Sequence, residues 1–190
     1  MRIAVLALQG AFFEHIAMLN KLGVDSIEIR QKSDFSKGFD GIILPGGEST
    51  TMNKLLHDLK LFAPLQDSIK AGIPCFGTCA GLILMSKRFE DSRWQHLDVL
   101  DVTVKRHGFG RQIGSFSVND SFAGSTVPMV FIRGPYITEV GENVKILAKT
   151  GGKIVSVRQN NLLGTAFHPE LTEDSTVHTY FLDMINARCE

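Results

Sequence analysis

The sequence predicts an α/β protein: a doubly wound mixed sheet of flavodoxin-like topology, with antiparallel additions in the second half. Three observations predict it. Short apolar runs alternate with segments of helical period over roughly the first 85 residues, closely spaced strand patterns follow, and one amphipathic segment closes the chain. Strands that are apolar on both faces need cover on both sides, which is the setting of a parallel sheet wrapped by helices.

The strand candidates of the first half are RIAVLAL (2–8), SIEIR (26–30), GIILP (41–45) and IPCF (73–76). Helical patterns separate them, as AFFEHIAMLNKL from Ala11, STTMNKLLHDLKLF from Ser49 and GLILMSK from Gly81, with Ser49 reading as an N-cap. From residue 98 the pattern changes to DVLDVTVKR, QIGSFSV, MVFIRGP, VKILAKT, KIVSVRQ and LLGTAFHP. Gly151-Gly152 and Asn160-Asn161 suit tight hairpins because these residues tolerate positive φ, so antiparallel strands are expected here. The last segment, 174–187, spaces Val177, Phe181, Met184 and Ile185 as one helical face.

A chain of 190 residues that is 44% hydrophobic can bury one substantial core, and a single domain over residues 1–190 is expected. The formal charge is +0 with acids and bases mixed along the chain, which argues against nucleic acid and anionic membrane as partners. The N-terminal apolar stretch is too short for a signal peptide and is followed by Gln9, Glu14 and His15; no run approaches the roughly 20 residues that span a bilayer. Cys75, Cys79 and Cys189 form no paired framework, which fits a reducing, cytoplasmic compartment.

Ligands of open α/β sheets bind beyond the carboxyl ends of the strands, which directs attention to Gln9-Gly10, PGGEST, GTCAG and FHPE. GTCAG (77–81) has the form of a nucleophile elbow, in which a strand turns sharply into a helix and the central side chain projects. Gly77 and Gly81 would be required because a Cβ at either place would meet the neighbouring chain. The helix N-terminus beside Cys79 favours thiolate over thiol. A small buried cysteine is the alternative. Cys75 reads as core, and a C-x3-C pair alone is weak evidence for zinc, so no metal is expected.

A cysteine nucleophile needs a base, and the base needs a group to orient it. In GTAFHPEL, His168 and Glu170 are two apart and can share one side of an extended segment, with Glu170 holding one ring nitrogen and the other facing Cys79; a solvated turn is the alternative. Gly46 and Gly47 allow close backbone approach, and the N–H groups there and at Ala80 are candidate oxyanion donors. No lysine of a phosphate-binding loop follows these glycines. Arg106 and Arg133 could recognise a carboxylate or be surface charges. His15, His57, His96, His107 and His178 have no partner legible in the sequence.

These residues resemble a known family. LQG (8–10), LPGGESTTM (44–52), FGTCAGL (76–82), FGRQ (109–112), FIRGP (131–135) and FHPELTED (167–174), in order along nearly the whole chain, look like the glutaminase subunits of pyridoxal 5′-phosphate synthase, which are class I, triad-type glutamine amidotransferases. The resemblance implies Cys79 as nucleophile, His168 as base and Glu170 as its orienting partner. It implies glutamine contacts at Gly46, Gly47, Glu48, Arg106, Ile132 and Arg133, with Gln9 near the oxyanion site and a subunit interface. L-glutamine would be the substrate, no cofactor is implied, and the ammonia would pass to a separate synthase subunit. Two departures are visible: His107 stands where the family usually has Asn, and Gly134 where it often has Ala. The rival readings are a glutaminase serving another synthase, such as the one making imidazole glycerol phosphate, and a non-catalytic binding protein that has kept the elbow.

Overall fold

The computed structural model describes residues 1–89, 95–106 and 114–187. Its first half runs β1 (Arg2–Leu6), α1 (Phe12–Lys21), β2 (Asp25–Ile29), a 3-10 turn, β3 (Gly41–Leu44), α2 (Ser49–Asp58), α3 (Phe62–Lys70), β4 (Cys75–Thr78) and α4 (Ala80–Met85). The second half runs β5 (Ser86–Phe89), β6 (Leu100–Lys105), β7 (Ser115–Phe122), β8 (Ser125–Ile132), β9 (Tyr136–Val140), β10 (Lys145–Thr150), β11 (Lys153–Gln159) and β12 (Leu162–Thr165). A second 3-10 turn, Pro169–Leu171, and α5 (Thr176–Asn186) complete it.

In the main sheet β2, β1, β3, β4 and β12 lie side by side and parallel, in the order of a flavodoxin-like sheet whose fifth strand comes from near the end of the chain. Beyond β12 the sheet continues through β11, β9, β6 and β5, with β10 also paired to β11; the pairings of β12, β10 and β9 to β11, and of β6 to β9, are antiparallel. All four residues of β3, β4 and β12 are buried, as two-sided cover requires. One apolar cluster joins both halves, from Ile3 and Ile42 through Val102 and Val155 to Phe181 and Ile185. Among the described residues, no helix is long and apolar enough to cross a membrane.

The return of the chain to β12 positions the site. Thr165 pairs with Thr78 and Gly77 with Leu44, so the residues that follow β3, β4 and β12 emerge together at one end of the sheet.

Local structure departs from the sequence reading in several places. The helix expected over 49–62 ends at Asp58, and α3, apart from its first residue Phe62, lies beyond the segment read from the sequence. The chain is turned by Lys60 at φ 57, where Lys60 N–H bonds His57 O at 3.0 Å and Leu61 N–H bonds Leu56 O at 2.8 Å. This is a Schellman ending made without glycine. The N-cap of α2 is Glu48, not Ser49, which is already the first helical residue. The fourth strand is shifted to Cys75–Thr78, and the helix after it ends at Met85, with Ser86 turning into β5. The strand patterns around Phe116 and Phe131 form a separate hairpin, β7 with β8, turning at Ala123 and Gly124, both at positive φ. Strand β9 lies outside the strand runs read from the sequence.

Candidate active site

Cys79 stands between β4 and α4 at φ 47 and ψ −96, a conformation that costs energy for a residue with a Cβ and turns the chain sharply from strand to helix. Its N–H donates to Thr165 O at 2.8 Å, tying the elbow to the end of β12. The glycine at position 81 follows from close packing, because a Cβ there would overlap the carbonyl of Leu44 on the neighbouring strand. The N-cap of α4, Cys79, makes no side-chain capping bond, so it leaves the first N–H groups of the helix, Ala80's among them, untaken. Cys75 behaves as core: it is fully buried, touches Met85 Sδ at 3.8 Å, and burial pushes its thiol up.

His168 and Glu170 reach this elbow from the segment after β12. His168 N–H is fixed to Val130 O at 2.8 Å, and His168 Nδ1 meets Glu170 Oε1 at 2.8 Å. The other face of the ring is toward Cys79, with which His168 shares a cavity of about 360 Å³ lined also by Gly10, Ala11, Glu14, Gly46, Gly47, Ile132 and Leu171. Burial works against a charged imidazole here. The hydrogen bonds to Cys79 and Glu170 outweigh it, and the His168 pKa is pushed up to about 10. Burial likewise opposes ionisation of Glu170, yet the His15 and His168 rings hold its carboxyl well below the usual carboxylate range.

The turn after β3 closes the other side. A Cβ on Gly46 would overlap the His168 ring, so only glycine lets this backbone come so near the base. Gly46 O accepts from Ala11 N–H at 2.9 Å, and in a trans peptide that orientation sets the Gly47 N–H on the opposite side. Gln9 Oε1 accepts from Glu48 N–H at 3.0 Å, which places Gln9 against the Gly47-Glu48 backbone. Glu48 accepts from Thr50 N–H at 3.1 Å and Thr51 N–H at 2.6 Å. Arg106 Nη2 donates to Ser49 Oγ at 2.8 Å and Thr50 Oγ1 at 3.0 Å, and lies 4.0 Å from Glu48 Oε1, with its guanidinium over the Phe89 ring.

The structure therefore brings Cys79, His168, Glu170, Gly46, Gly47 and Ile132 together. Gln9, Glu48 and Arg106 form a neighbouring group that does not line the same cavity, and neither does Arg133, exposed at φ 46. His107 and the FGRQ motif lie outside the described residues. His57 stacks on Phe62 at 4.4 Å, and His96 Nδ1 bonds Ile83 O at 2.8 Å, so both are locally held.

Two histidines escaped the sequence reading as members of the site. His15 and His178 are fully buried behind Glu170: His15 Nε2 is 3.5 Å from Glu170 Oε1 and 3.2 Å from Thr78 Oγ1, and His15 Nδ1 is 3.0 Å from His178 Nε2. A signal was present. His15 shares a helical face with Met18 and Leu19, and His178 shares one with Phe181, Leu182 and Ile185, so each lies on an apolar stripe rather than on the polar side of its helix.

A doubly wound sheet with a strained cysteine beyond a central strand and a buried His-Glu pair beyond its neighbour has the geometry of a thiol-nucleophile α/β enzyme. A crystal structure of a glutamine amidotransferase superposes with a TM-score of 0.91 at 40% identity, covering 97% of this chain and 98% of that one. The model of the SNO glutamine amidotransferase family matches residues 5–187, and the chain belongs to that family. A curated relative from Methanocorpusculum labreanum, named pyridoxal 5′-phosphate synthase subunit PdxT, is 55% identical over 97% of this chain and 98% of its own length. Another of the same name from Streptococcus pneumoniae is 49% identical over 99% of each chain.

Proposed function

We propose that Cys79, His168 and Glu170 hydrolyse L-glutamine to L-glutamate and ammonia, and that the ammonia passes to a separate pyridoxal 5′-phosphate synthase subunit. The observation that carries the assignment is the strained Cys79 sharing a cavity with His168, itself held by buried Glu170 at 2.8 Å. The cavity, about 360 Å³, is of the size of small-molecule sites.

The Cys79 thiolate attacks the carboxamide carbon, and the Gly47 and Ala80 N–H groups stabilise the oxyanion that forms. The imidazolium of His168 gives its proton to the departing nitrogen as the C–N bond breaks, leaving ammonia and a γ-glutamyl thioester. Neutral His168 then takes a proton from water as it attacks the thioester; the C–S bond breaks, glutamate leaves and the thiolate returns. Glu170 holds the ring for both transfers. By the family resemblance Glu48, Arg106, Ile132 and Arg133 also contact glutamine, Ile132 from the cavity wall and the other three from outside it, and Gln9 lies at the partner-facing edge of the oxyanion turn.

Support for a docking partner comes from exposed apolar side chains near the cleft: Ile132 and Leu171 line the cavity and are 45% and 40% exposed, and Phe13 of α1 is 64% exposed. Docking orders the oxyanion turn, so the isolated protein is a poor glutaminase. The single apolar core supports reading residues 1–190 as one domain, and free Cys75 and Cys79 fit a cytoplasmic enzyme.

The test is glutamate release by the protein alone and with the synthase subunit added, for the wild type and Cys79→Ala. Release that appears with the partner and disappears in Cys79→Ala is expected. A fast rate without the partner overturns docking-dependent activation, and undiminished release by Cys79→Ala overturns the triad.

A further inference from the structure

We propose that His15 is a positioning residue for this reaction: with its tautomer set by His178, it donates to the Glu170-Thr78 pair from behind and holds the carboxylate against His168. This rests on the triad reading above.

Five buried side chains, His168, Glu170, Thr78, His15 and His178, form one hydrogen-bonded chain. Glu170 Oε1 gathers His168 Nδ1 at 2.8 Å, Thr78 Oγ1 at 3.1 Å and His15 Nε2 at 3.5 Å, while Oε2 has no hydrogen-bond partner among the described residues. The carboxylate is thus oriented through one oxygen. His178 is fully buried and its Nδ1 has no hydrogen-bond partner among the described residues, whereas its Nε2 faces His15 Nδ1 at 3.0 Å. Leaving a ring N–H unpaired in such a place costs more than leaving a lone pair unpaired, so the proton of His178 sits on Nε2 and is donated to His15. His15 Nδ1 is then the acceptor, and its own proton is on Nε2, shared between Thr78 Oγ1 and Glu170. The hydroxyl of Thr78 donates to Glu170 in turn. Every donor in the chain points toward the carboxylate.

Apolar packing alone does not account for this arrangement. The edges of His15 and His178 stand against the Phe76 ring at 5.9 and 5.7 Å between centroids, a pocket that two hydrocarbon side chains would fill without an orphaned nitrogen. What the two imidazoles supply is directed donation to a buried anion. Burial drives the His178 pKa down to about 3, so it stays a neutral donor across the working range. The titratable groups around His168 are Cys79 at the elbow and Glu170 on its own turn, with His15 from α1 and His178 from α5 behind Glu170, and Glu14 of α1 on the cavity wall.

The test pairs His15→Phe with His15→Gln, whose amide nitrogen can donate from the place of ring Nε2. Nitrogen-15 NMR of labelled histidines in the full chain follows the titration midpoint of His168, and glutamate release with the synthase subunit gives kcat and KM. His15→Phe is expected to lower the midpoint by about one pH unit or more and kcat by about tenfold or more, with KM within about twofold; His15→Gln recovers both. His178→Phe and His178→Gln repeat the comparison one link further back, and serve if the His15 variant does not fold. A folded Phe variant with unmoved midpoint and kcat, or a Gln variant no better than Phe, overturns the positioning role. Undiminished release by Cys79→Ala would instead sink the triad itself, so the two failures are distinguishable.

Discussion

Two strand-to-helix turns lie side by side at the carboxyl ends of β3 and β4, and they treat the helix that follows in opposite ways. After β3, Glu48 sits in extended backbone at φ −96 and ψ 110 and caps the ten-residue α2 with its carboxylate. After β4, Cys79 is strained at φ 47 and ψ −96, and the six-residue α4 has no side-chain cap. A helix end whose N–H groups are already satisfied can offer nothing to a developing oxyanion, whereas an uncapped one can. The difference teaches that the two turns offer donors in different ways: after β3 the helix's own N–H groups at Thr50 and Thr51 are taken by Glu48 and only the Gly47 N–H of the turn is left to the cavity, whereas after β4 the first N–H of the helix is itself in reserve.

The comparison breaks most visibly at the elbow. Cys79→Gly removes the nucleophile and, in the proposed mechanism, lowers glutamate release by about 10⁴-fold or more. It also removes the Cβ that makes φ 47 costly. Strain of about 1–3 kcal/mol is relieved, less about 0.5–1 kcal/mol for the extra freedom of unfolded glycine, so the variant melts higher than the wild type. A lower melting temperature would show that the elbow stores no strain.

Gly46→Ala tests the first turn where it approaches the second. Its Cβ overlaps the His168 ring, and displacing the base by about 1 Å costs on the order of 100-fold in turnover. Gly47→Ala meets mainly the flexible end of Gln9, with Oε1 at 2.6 Å, and is expected to be the milder change in a parallel assay of release. Equal losses would place the constraint in the backbone rather than at His168.

How far the sequence could be read follows the same division between local and distant constraints. The parallel strands were legible because two-sided burial leaves continuous apolar runs, and GTCAG and FHPE were legible because an elbow and a ring-to-carboxylate pair need fixed short spacings. The break at Lys60 carries no glycine to announce it. The sequence favours Ser49 as the cap of α2 because serine is the more usual capping residue, whereas the longer Glu48 side chain reaches the Thr50 and Thr51 N–H groups from one position earlier. The pairing of His15 with His178 spans 163 residues and exists only because α1 and α5 each bring a histidine against Phe76 of β4, with His15 also reaching Thr78. No local spacing records such a contact. The departure of β7 and β8 from the main sheet is of the same kind, since alternation predicts a strand but not its neighbour.

The smallest effect belongs to the satisfied turn. Glu48→Ala deletes the cap and is expected to cost about 1 kcal/mol, seen as a fall of roughly 2–4 °C in melting temperature for a chain of this size. Glu48→Gln keeps an acceptor oxygen and loses only the charge, which is half-exposed and screened, so its cost is smaller. The sign with pH follows from the direction of the shift. Burial would raise the Glu48 carboxyl, but the Thr51 and Thr50 N–H bonds hold it below the ordinary carboxylate value. Its charge therefore stabilises the fold fully above the unfolded value, and that contribution fades as pH falls through the folded one. Melting curves of wild type and Glu48→Gln should thus be separated near neutrality and converge in acid; a gap that persists there would mean that the cap depends on side-chain geometry rather than on charge.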